Sequence, residues 1–397
     1  MKYALIIPDG AADAPLNELG GRTPLEAANT PNMDEIARNG RLGLVRTVPD
    51  GFESGSDVAI MSLLGYDPAI YHTGRAPLEA AARDIKLAPS DWVFRCNLVT
   101  VIDGVMKDHS AGGISDAEAA VLMRDLARAV QAPGVEFHTG VSYRNLMVCR
   151  GGDDFSSLKT VPPHEIPEQP VAPHLPTGAG SDILRSIMHQ SQRMFDVHEV
   201  NRARFAAGKR PATQVWLWGQ GRAARMPRFV EAFGVPTGCM ITGVDLLRGL
   251  ARLLGWDVHE VDGMTSFHDT NYVGQGRDTA DMLDRYDIVV SHVESPDEAS
   301  HQADLRTKIA AIEAIDEHVV GPVLQKLRSF SEWRVLVMPD HPTLISTRRH
   351  DRGAVPFCIA GSNVNDRSGA SYCEANARRS GVCLEHGHEL MSRFLRD

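Results

Sequence analysis

The sequence has few cysteines, no long apolar stretch and no excess of basic residues. Its six cysteines form no CxxC pair, which argues against a disulfide framework and favours reduced, mostly buried thiols. No apolar run approaches the roughly 20 residues of a membrane-spanning helix, and the N-terminal run becomes polar too soon for a signal peptide. The net charge of −10 argues against a basic surface for nucleic acid or lipid. We expect a cytoplasmic protein that binds neither nucleic acid nor membrane.

The usual nucleotide-binding patterns are also missing. No GxxxxGK[ST] motif occurs, and Gly219-Gln220-Gly221 lacks the third glycine and the following helix of a dinucleotide fingerprint. The sequence therefore gives no support of the usual kind for ATP use.

Short apolar runs that end in polar residues alternate with helical patterns. Residues 3–7 form such a run and deliver Asp9 to its end, and further runs cover residues 215–218, 288–290 and 335–338. Helical patterns cover residues 245–254 and 305–327, and Thr30 is a candidate N-cap for another helix. This alternation predicts an α/β fold with a mostly parallel sheet between helices.

The middle of the chain has a different pattern. Shorter strands with polar breaks are predicted at residues 93–101, 134–138 and 143–149, and a loop rich in Pro, His and Gly follows. We interpret residues 88–210 as a smaller α+β domain inserted into a core that comprises residues 1–87 and 211–397.

Carboxylates and imidazoles follow the predicted strands of the core. Asp297 and His301 are four residues apart, so one helical turn would put both on the same face. Asp340 and His341 are adjacent, and His350 follows within ten residues. Because ligands gather where parallel strands end, these residues and Asp9 are expected to converge. Asp and His without Cys favour Mn²⁺, Mg²⁺, Co²⁺ or Zn²⁺, and the set suggests a two-metal phosphoryl-transfer site.

Ser56 is the candidate nucleophile. It follows Gly55 in a turn and precedes an apolar helical stretch, so backbone N–H groups at the helix start could hold a phosphoryl group. Each element alone also has an ordinary structural interpretation, Ser56 as a helix cap and Asp9 as a turn residue. The combination in this order favours chemistry.

The combination of these residues resembles the alkaline phosphatase superfamily, and more closely the archaeal-type, cofactor-independent phosphoglycerate mutases. The resemblance runs essentially the full length of the chain. It is carried by the metal-type residues above and by Thr30-Pro31-Asn32-Met33-Asp34, Gly55-Ser56-Asp57-Val58-Ala59, Leu64-Gly65-Tyr66-Asp67-Pro68, Gly74-Arg75-Ala76-Pro77-Leu78-Glu79, Trp216-Leu217-Trp218-Gly219-Gln220-Gly221 and Asp340-His341-Pro342-Thr343.

The resemblance implies an alkaline-phosphatase-like core that binds two divalent ions, Mn²⁺ first, without 2,3-bisphosphoglycerate. One ion would be held by Asp9, Ser56, Asp340 and His341, and the other by Asp297, His301 and His350. The family interconverts 3-phosphoglycerate and 2-phosphoglycerate in glycolysis through a phosphoserine, here Ser56, while the inserted domain keeps water out.

The small phosphorylated acid needs cationic and polar partners, for which arginine is well suited. The candidates are Arg75, Arg95, Asn97, Arg144, Lys209, Arg210 and Gln275. The sequence leaves open whether the chain forms a homo-oligomer.

Several positions depart from the family pattern. Gln275 stands where related mutases have a lysine that supports the phosphoryl group, Ser300 replaces the usual glycine before His301, and Arg352 follows Asp351 where the family usually has a proline. A neutral amide donates hydrogen bonds but does not neutralise charge. This motivates an alternative function, a related phosphotransferase, phosphohydrolase or mutase acting on another small phosphorylated or phosphonate acid, including a branch proposed to act as homoserine kinase. A third reading is a catalytically silent binding or regulatory protein, which the intact metal-type set argues against.

Overall fold

The structure is a computed structural model that describes residues 1–130, 132–151, 154–223 and 225–396. Its contacts divide the chain into two compact units. Unit 1 comprises Met1–His72 and Met226–Asp397, and unit 2 comprises Thr73–Arg225.

The β-strands are numbered in chain order over the described residues. They are β1 (Lys2–Pro8), β2 (Arg41–Val45), β3 (Trp92–Ile102), β4 (Val105–Asp108), β5 (Val135–His138), β6 (Arg144–Cys149), β7 (Gln214–Arg222), β8 (Gly238–Ile241), β9 (Asp257–His259), β10 (Ile288–Val293), β11 (Trp333–Val337), β12 (Thr343–Leu344), β13 (Arg349–His350), β14 (Val355–Gly361) and β15 (Cys383–Leu384).

The α-helices are numbered in the same way. They are α1 (Pro24–Ala27), α2 (Pro31–Asn39), α3 (Ser56–Leu63), α4 (Pro68–Tyr71), α5 (Arg75–Ala82), α6 (Asp116–Ala129), α7 (Ser181–Asp196), α8 (Glu199–Ala206), α9 (Phe229–Phe233), α10 (Asp245–Leu253), α11 (Tyr272–Met282), α12 (Ser295–His301), α13 (Leu305–Ile315), α14 (Gly321–Leu327), α15 (Glu374–Arg379) and α16 (Glu389–Arg396). Short 3₁₀ turns cover Asn17–Leu19, Pro163–Glu165 and Ala172–His174, and a π-helical turn, Asp316–Val320, joins α13 to α14.

Unit 1 contains a large, mostly parallel sheet with the strand order β15-β2-β14-β11-β1-β10-β8-β9. Strand β1 lies between β11 and β10 and is parallel to both, whereas β14 is antiparallel to β11 and to β2. The predicted α/β class with a mostly parallel sheet is confirmed.

The central strands are apolar on both faces. Every residue of β10 and residues 3–8 of β1 are buried, and consecutive strand residues point to opposite faces. Both faces of the sheet are therefore covered, which explains why these strands read as continuous apolar runs rather than as alternating ones.

Helix α2 begins after Thr30, as the sequence predicts, but the hydroxyl of Thr30 does not cap it. The carboxylate of Asp316 accepts the backbone N–H groups of Asn32 at 3.1 Å and of Met33 at 2.7 Å. A side chain from a distant turn thus satisfies the orphan donors that a local cap would otherwise take.

Unit 2 is built around antiparallel strands. Strand β3 pairs with β4, β6 and β7, and β5 pairs with β6. The sequence pattern places residues 215–218 in the parallel core, and this prediction is wrong, because β7 lies beside β3 in unit 2. An apolar run shows that a strand is buried but not which sheet it joins.

The contacts also group residues 73–87 and 211–225 with unit 2. Helix α5 packs against β3 and β7, which explains this grouping. The predicted domain limits after residues 87 and 210 are thus 15 residues inside the limits of the contact-defined unit on both sides.

All six cysteines are free thiols, and Cys383 is the exposed one. None of the helices among the described residues combines the length and the hydrophobicity that crossing a membrane requires.

Candidate functional site

Polar residues follow three neighbouring strands of unit 1. Strand β1 leads to Asp9, β10 leads into α12 with Asp297, and β11 leads to Asp340. Because β1 is parallel to both β10 and β11, the three carboxylates emerge at one edge of the sheet, where α/β proteins bind ligands.

Gly10 permits this convergence. Its φ is +62°, and a Cβ atom there would lie 2.6 Å from both Asp297 Oδ1 and Thr343 Oγ1. Any other residue would be strained and would displace Asp297. Its backbone N–H donates to Asp340 Oδ1 at 3.2 Å, which ties the turn after β1 to the turn after β11.

Asp9, Asp340 and His341 form the first cluster, which we call the buried cluster. Their nearest ligand atoms lie within 4.8 Å of one another, and each residue is at most 1% exposed. Asp9 Oδ1 and Asp340 Oδ2 are buried without a hydrogen-bond partner among the described residues. Leaving such atoms unpaired is costly, so these residues are a candidate site for a cation, which both oxygens could bind.

Ser56 adjoins the buried cluster. It is the first residue of α3, and its Oγ lies 3.2 Å from His341 Nε2 and 3.4 Å from Asp9 Oδ2. The serine oxygen is thus placed at a helix N-terminus and beside two of the ligand-type side chains.

Asp297, His301 and His350 form the second cluster, which we call the open cluster because both histidines are partly exposed. The Nε2 atoms of His301 and His350 are 2.9 Å apart. They lie 3.1 Å from Asp297 Oδ2 and 3.4 Å from Asp297 Oδ1, respectively.

Backbone carbonyls orient both rings of the open cluster. His301 Nδ1 lies 3.0 Å from the carbonyl of Arg348, and His350 Nδ1 lies 3.1 Å from that of Ser54. Because a carbonyl only accepts, each Nδ1 carries a proton, so two neutral rings would direct their Nε2 lone pairs at each other. Two facing lone pairs repel each other unless a proton or a metal ion lies between them, which fits a metal site.

Thr343 links the two clusters. Its hydroxyl donates to Asp297 Oδ1, and its oxygen lies 3.2 Å from His341 Nδ1, which is then the donor. This arrangement leaves the Nε2 lone pair of His341 facing the buried cluster. The rings of His341 and His350 also stack, with centroids 4.2 Å apart.

The two clusters differ in their electrostatics. Burial, followed by the charges of Asp340 and Asp297, raises the pKa of Asp9 well above its usual range. Burial opposes ionisation of Asp297 as well, but hydrogen bonds with His301 and His350 hold its pKa well below the usual value. The hydrogen bond with Asp297 in turn raises the pKa of His301 to about 9. The open cluster therefore neutralises its own charge, whereas burial and the neighbouring carboxylates oppose ionisation of Asp9 in the buried cluster.

A buried ion pair supports the loops that carry both clusters. The side chains of Lys308 and Asp13 are fully buried, and Lys308 Nζ lies 2.8 Å from Asp13 Oδ2. Lys308 Nζ also donates to the carbonyl of Thr343 at 2.7 Å, and Asp13 Oδ2 accepts the N–H of Ile345 at 3.1 Å. The pair thus joins the segment after β1 to the segment after β11.

Two departures from the family pattern have local partners in unit 1. Gln275 is 1% exposed, and its side-chain nitrogen donates to the carbonyl of His292 at 2.9 Å and to Ser291 Oγ at 3.1 Å. The hydroxyl of Ser300 donates to the carbonyl of Pro296 at 2.7 Å inside α12. In this structure both side chains are engaged with the scaffold behind the clusters.

Unit 2 contains the six cationic and amide candidates for substrate binding. Arg95 forms an ion pair with Glu79 at 2.6 Å and stacks over Trp218, and Arg210 Nη1 lies 3.1 Å from Asp108. Arg75 is the first residue of α5, and Asn97 is buried in β3. Arg144 is exposed at the start of β6, and Lys209 is exposed in the segment before β7.

Arg75 and Arg95 share a neighbourhood in unit 2 with two histidines to which sequence reasoning gave no role. Partial burial, together with the charges of His109, Arg95 and Arg75, lowers the pKa of His164 to about 4. The ring of His164 lies 5.3 Å from Trp218 and 6.2 Å from His109.

Sequence reasoning also missed residues of unit 1 that contact the two clusters or the loops carrying them, namely Thr343, His292, Thr242, Asp13 and Lys308. One signal was present for His292. It follows an apolar run, and the polar residues Ser291 and His292 extend β10 beyond the predicted end at residue 290. A polar pair at a buried strand end is a cue for a functional role.

Comparison with known proteins places this geometry in a family. A family model described as 2,3-bisphosphoglycerate-independent phosphoglycerate mutase matches residues 37–201. A protein of that name from Methanothrix thermoacetophila is 48% identical over 392 residues, which is 98% of both chains. The chain belongs to the family of 2,3-bisphosphoglycerate-independent phosphoglycerate mutases.

Solved structures agree with this family assignment. The PH0037 protein from Pyrococcus horikoshii superposes with a TM-score of 0.82 at 27% identity and covers 99% of this chain and 97% of its own. A cofactor-independent phosphoglycerate mutase from Thermoplasma acidophilum has a TM-score of 0.70 at 26% identity and covers 100% and 99%, respectively. The resemblance drawn from the sequence motifs is thus confirmed at the level of the family.

Proposed function

We propose that the chain is a metal-dependent phosphoglycerate mutase that interconverts 3-phosphoglycerate and 2-phosphoglycerate through a phosphoserine at Ser56. The observation that carries this proposal is the position of Ser56 Oγ, 3.2 Å from His341 Nε2 and at the start of α3, beside two groups of ligand-type atoms. Membership of the mutase family supports the substrate.

The donor sets of the two clusters suit divalent ions. Asp9, Ser56, Asp340 and His341 would hold one ion and Asp297, His301 and His350 the other. All the donors are oxygen or imidazole nitrogen, which suits Mn²⁺, Mg²⁺, Co²⁺ or Zn²⁺, and the resemblance to the family makes Mn²⁺ the first candidate. When bound, the ions would neutralise phosphoryl oxygens and lower the pKa of the serine hydroxyl.

The reaction needs two phosphoryl transfers in which Ser56 takes part. In the first, Ser56 Oγ loses its proton and forms a bond to phosphorus while the bond from phosphorus to the C3 oxygen of glycerate breaks, and the C3 oxygen gains a proton. In the second, the C2 hydroxyl loses its proton and its oxygen bonds to phosphorus while the bond from phosphorus to Ser56 Oγ breaks, and Ser56 Oγ regains a proton. No proton is gained or lost overall. The N–H groups at the start of α3 are the donors available to the phosphoryl oxygens.

The glycerate would be bound through its carboxylate and hydroxyls. We propose Arg75, Arg95, Asn97, Arg144, Lys209, Arg210 and Gln275 as candidates, of which Arg75 and Arg95 are supported by their shared neighbourhood with His109 and His164 in unit 2. We further propose a cytoplasmic, glycolytic role, which free thiols and family membership support.

The direct test is ³¹P NMR of the Mn²⁺-loaded protein with 3-phosphoglycerate. We expect the 2-phosphoglycerate resonance to grow without release of inorganic phosphate. A spectrum that shows no new resonance, or inorganic phosphate alone, would contradict the proposed mutase activity. A Ser56→Ala variant measured in parallel controls for contaminating mutase.

A second candidate function is phosphoryl transfer on another small phosphorylated acid. The observation that favours it is the neutral side chain of Gln275 at the position where related mutases have a lysine. The test compares the parent with Gln275→Lys on 3-phosphoglycerate, with Gln275→Met as a control of similar length that has neither charge nor amide. A gain of about tenfold or more in mutase activity for the lysine variant alone would support a shifted substrate. No gain would count against a charge defect at this position.

A further inference from the structure

A buried histidine lies behind Asp9 and takes no part in either cluster. His292 belongs to β10, and its side chain has no exposed surface. Its Nε2 lies 2.9 Å from Asp9 Oδ2, and its Nδ1 lies 3.1 Å from Thr242 Oγ1, just beyond the neighbouring strand β8.

The directions of these hydrogen bonds follow from the groups involved. An ionised Asp9 can only accept, so His292 Nε2–H donates to it. A neutral imidazole then accepts at Nδ1, which makes the Thr242 hydroxyl the donor. The same hydroxyl oxygen accepts the backbone N–H of Val244 at 3.1 Å. A chain of hydrogen bonds therefore runs from the backbone through Thr242 and His292 to Asp9 and fixes the orientation of the ring.

The backbone of His292 is held as well. Gln275 reaches across from α11 and donates to the carbonyl of His292 at 2.9 Å and to Ser291 Oγ at 3.1 Å. The histidine is thus fixed at its carbonyl by one helix and at its ring by the segment after another strand.

The two oxygens of the Asp9 carboxylate have different surroundings. Oδ2 accepts from His292, whereas Oδ1 is buried without a hydrogen-bond partner among the described residues. A carboxylate held by one oxygen cannot rotate freely, so the other oxygen stays directed into the buried cluster.

We propose that His292 is a positioning residue that holds Asp9 so that Oδ1 is available to the ion of the buried cluster, with Thr242 fixing the ring of His292. The inference rests on the two-ion site of the proposed function. According to this inference, the hydrogen bonds of Thr242 and His292 increase the affinity for the metal ion, in addition to the packing of the two side chains in the sheet. Outer partners of metal ligands typically contribute about 10- to 100-fold to metal affinity.

The experiment is a titration of the metal-free, full-length protein with Mn²⁺, in which calorimetry and electron paramagnetic resonance measure the binding. We expect the parent to bind two equivalents. His292→Leu keeps a similar volume but has no donor, and it should weaken one equivalent about 10- to 100-fold and leave the other unchanged. His292→Gln, whose amide nitrogen reaches about as far as Nε2, should recover most of the loss.

Thr242→Val removes the hydrogen bond between Thr242 and the ring of His292. It also replaces His292→Leu as the test if that variant does not fold. It should weaken the same equivalent by a smaller factor, and Thr242→Ser should restore it. Thr100→Val is the matched control, because Thr100 is also fully buried but lies in unit 2, where its hydroxyl donates to the backbone carbonyl of Pro211. Urea unfolding of each metal-free variant separates a loss of fold from a loss of affinity.

Three outcomes would overturn the inference in distinguishable ways. If His292→Leu and Thr242→Val bound both ions with the affinity of the parent, the hydrogen bonds from Thr242 through His292 to Asp9 would have no effect on metal binding. Equal weakening of both ions would indicate a general structural role. A parent that binds fewer than two ions would refute the two-ion site itself, and with it the proposed function.

Discussion

The buried cluster and the open cluster use the same kinds of ligand but are stabilised differently. Asp9 and Asp340 are at most 1% exposed, and one oxygen of each has no hydrogen-bond partner among the described residues, whereas the side chain of His301 is 36% exposed and pairs with Asp297. The open cluster compensates its charge by an internal ion pair between His301 and Asp297, whereas in the buried cluster burial and neighbouring carboxylates oppose ionisation of Asp9. Similar donor sets can therefore differ in how far their own residues compensate the charge of the carboxylates.

The largest effect is expected where the buried cluster meets the nucleophile. Ser56→Ala should lower turnover by roughly 10⁴-fold or more, because no other group can take over its bond to phosphorus. Two equivalents of Mn²⁺ should still bind. Steady-state kinetics and a metal titration check both statements, with Ser54→Ala as the neighbouring control, since the Ser54 hydroxyl bonds to the carbonyl of Asp351. Substantial residual turnover in Ser56→Ala would remove this serine as the nucleophile.

Breaking the open cluster should have the next largest effect. His301→Ala removes one of three ligand-type side chains and should abolish tight binding of one Mn²⁺ while the buried cluster keeps the other. Turnover should fall by about 10²- to 10³-fold. Metal analysis after gel filtration measures the stoichiometry, and an unchanged value of two would contradict the ligand assignment.

The scaffold shared by both clusters can be tested through Lys308. Lys308→Met removes the buried partner of Asp13 and leaves that carboxylate uncompensated, which typically costs about 3–5 kcal/mol of folding free energy. Urea unfolding measures this loss. Lys326→Met is the matched control, because Lys326 pairs with Asp284 at a partly exposed site and should change stability by at most about 1 kcal/mol. Equal losses for the two variants would show that the buried pair has no special structural role.

The smallest effect is a pH dependence that distinguishes the open cluster in the metal-free protein. The pKa of His301 is raised from 6.5 to about 9, chiefly by its hydrogen bond with Asp297, and Glu298 and His350 also face it. A cation with a raised pKa in the folded state adds stability that is complete below pH 6.5 and is lost as the pH rises through about 9.

The corresponding measurement is urea unfolding in the presence of a chelator at pH 6, 7.5 and 9.5. The stability difference between the parent and His301→Asn should shrink as the pH rises over this range. His386→Asn, at an exposed position near the C-terminus, should show no such trend. A difference that is constant over the range would contradict a raised pKa at His301.

Much of the site could be predicted because its signals are local. Asp9, Asp297 and Asp340 each follow an apolar run, and parallel strands bring such ends to one edge. Burial on both faces made β1, β10 and β11 recognisable as strands. The assignment of β7 failed because its apolar pattern is the same in either sheet, and only its pairing with β3 decides between them.

The sequence by itself determined the family, and it predicted the candidate ligand side chains and their order along the chain. The tertiary structure alone decided which groups meet: Asp9 and His292 are 283 positions apart and Asn32 and Asp316 are 284 apart, and neither pair has a local sequence signature. The physical reason is that strand periodicity and turn chemistry act over a few residues. The partner of a buried polar group is instead fixed by which strands and helices pack together, and every such group must find one.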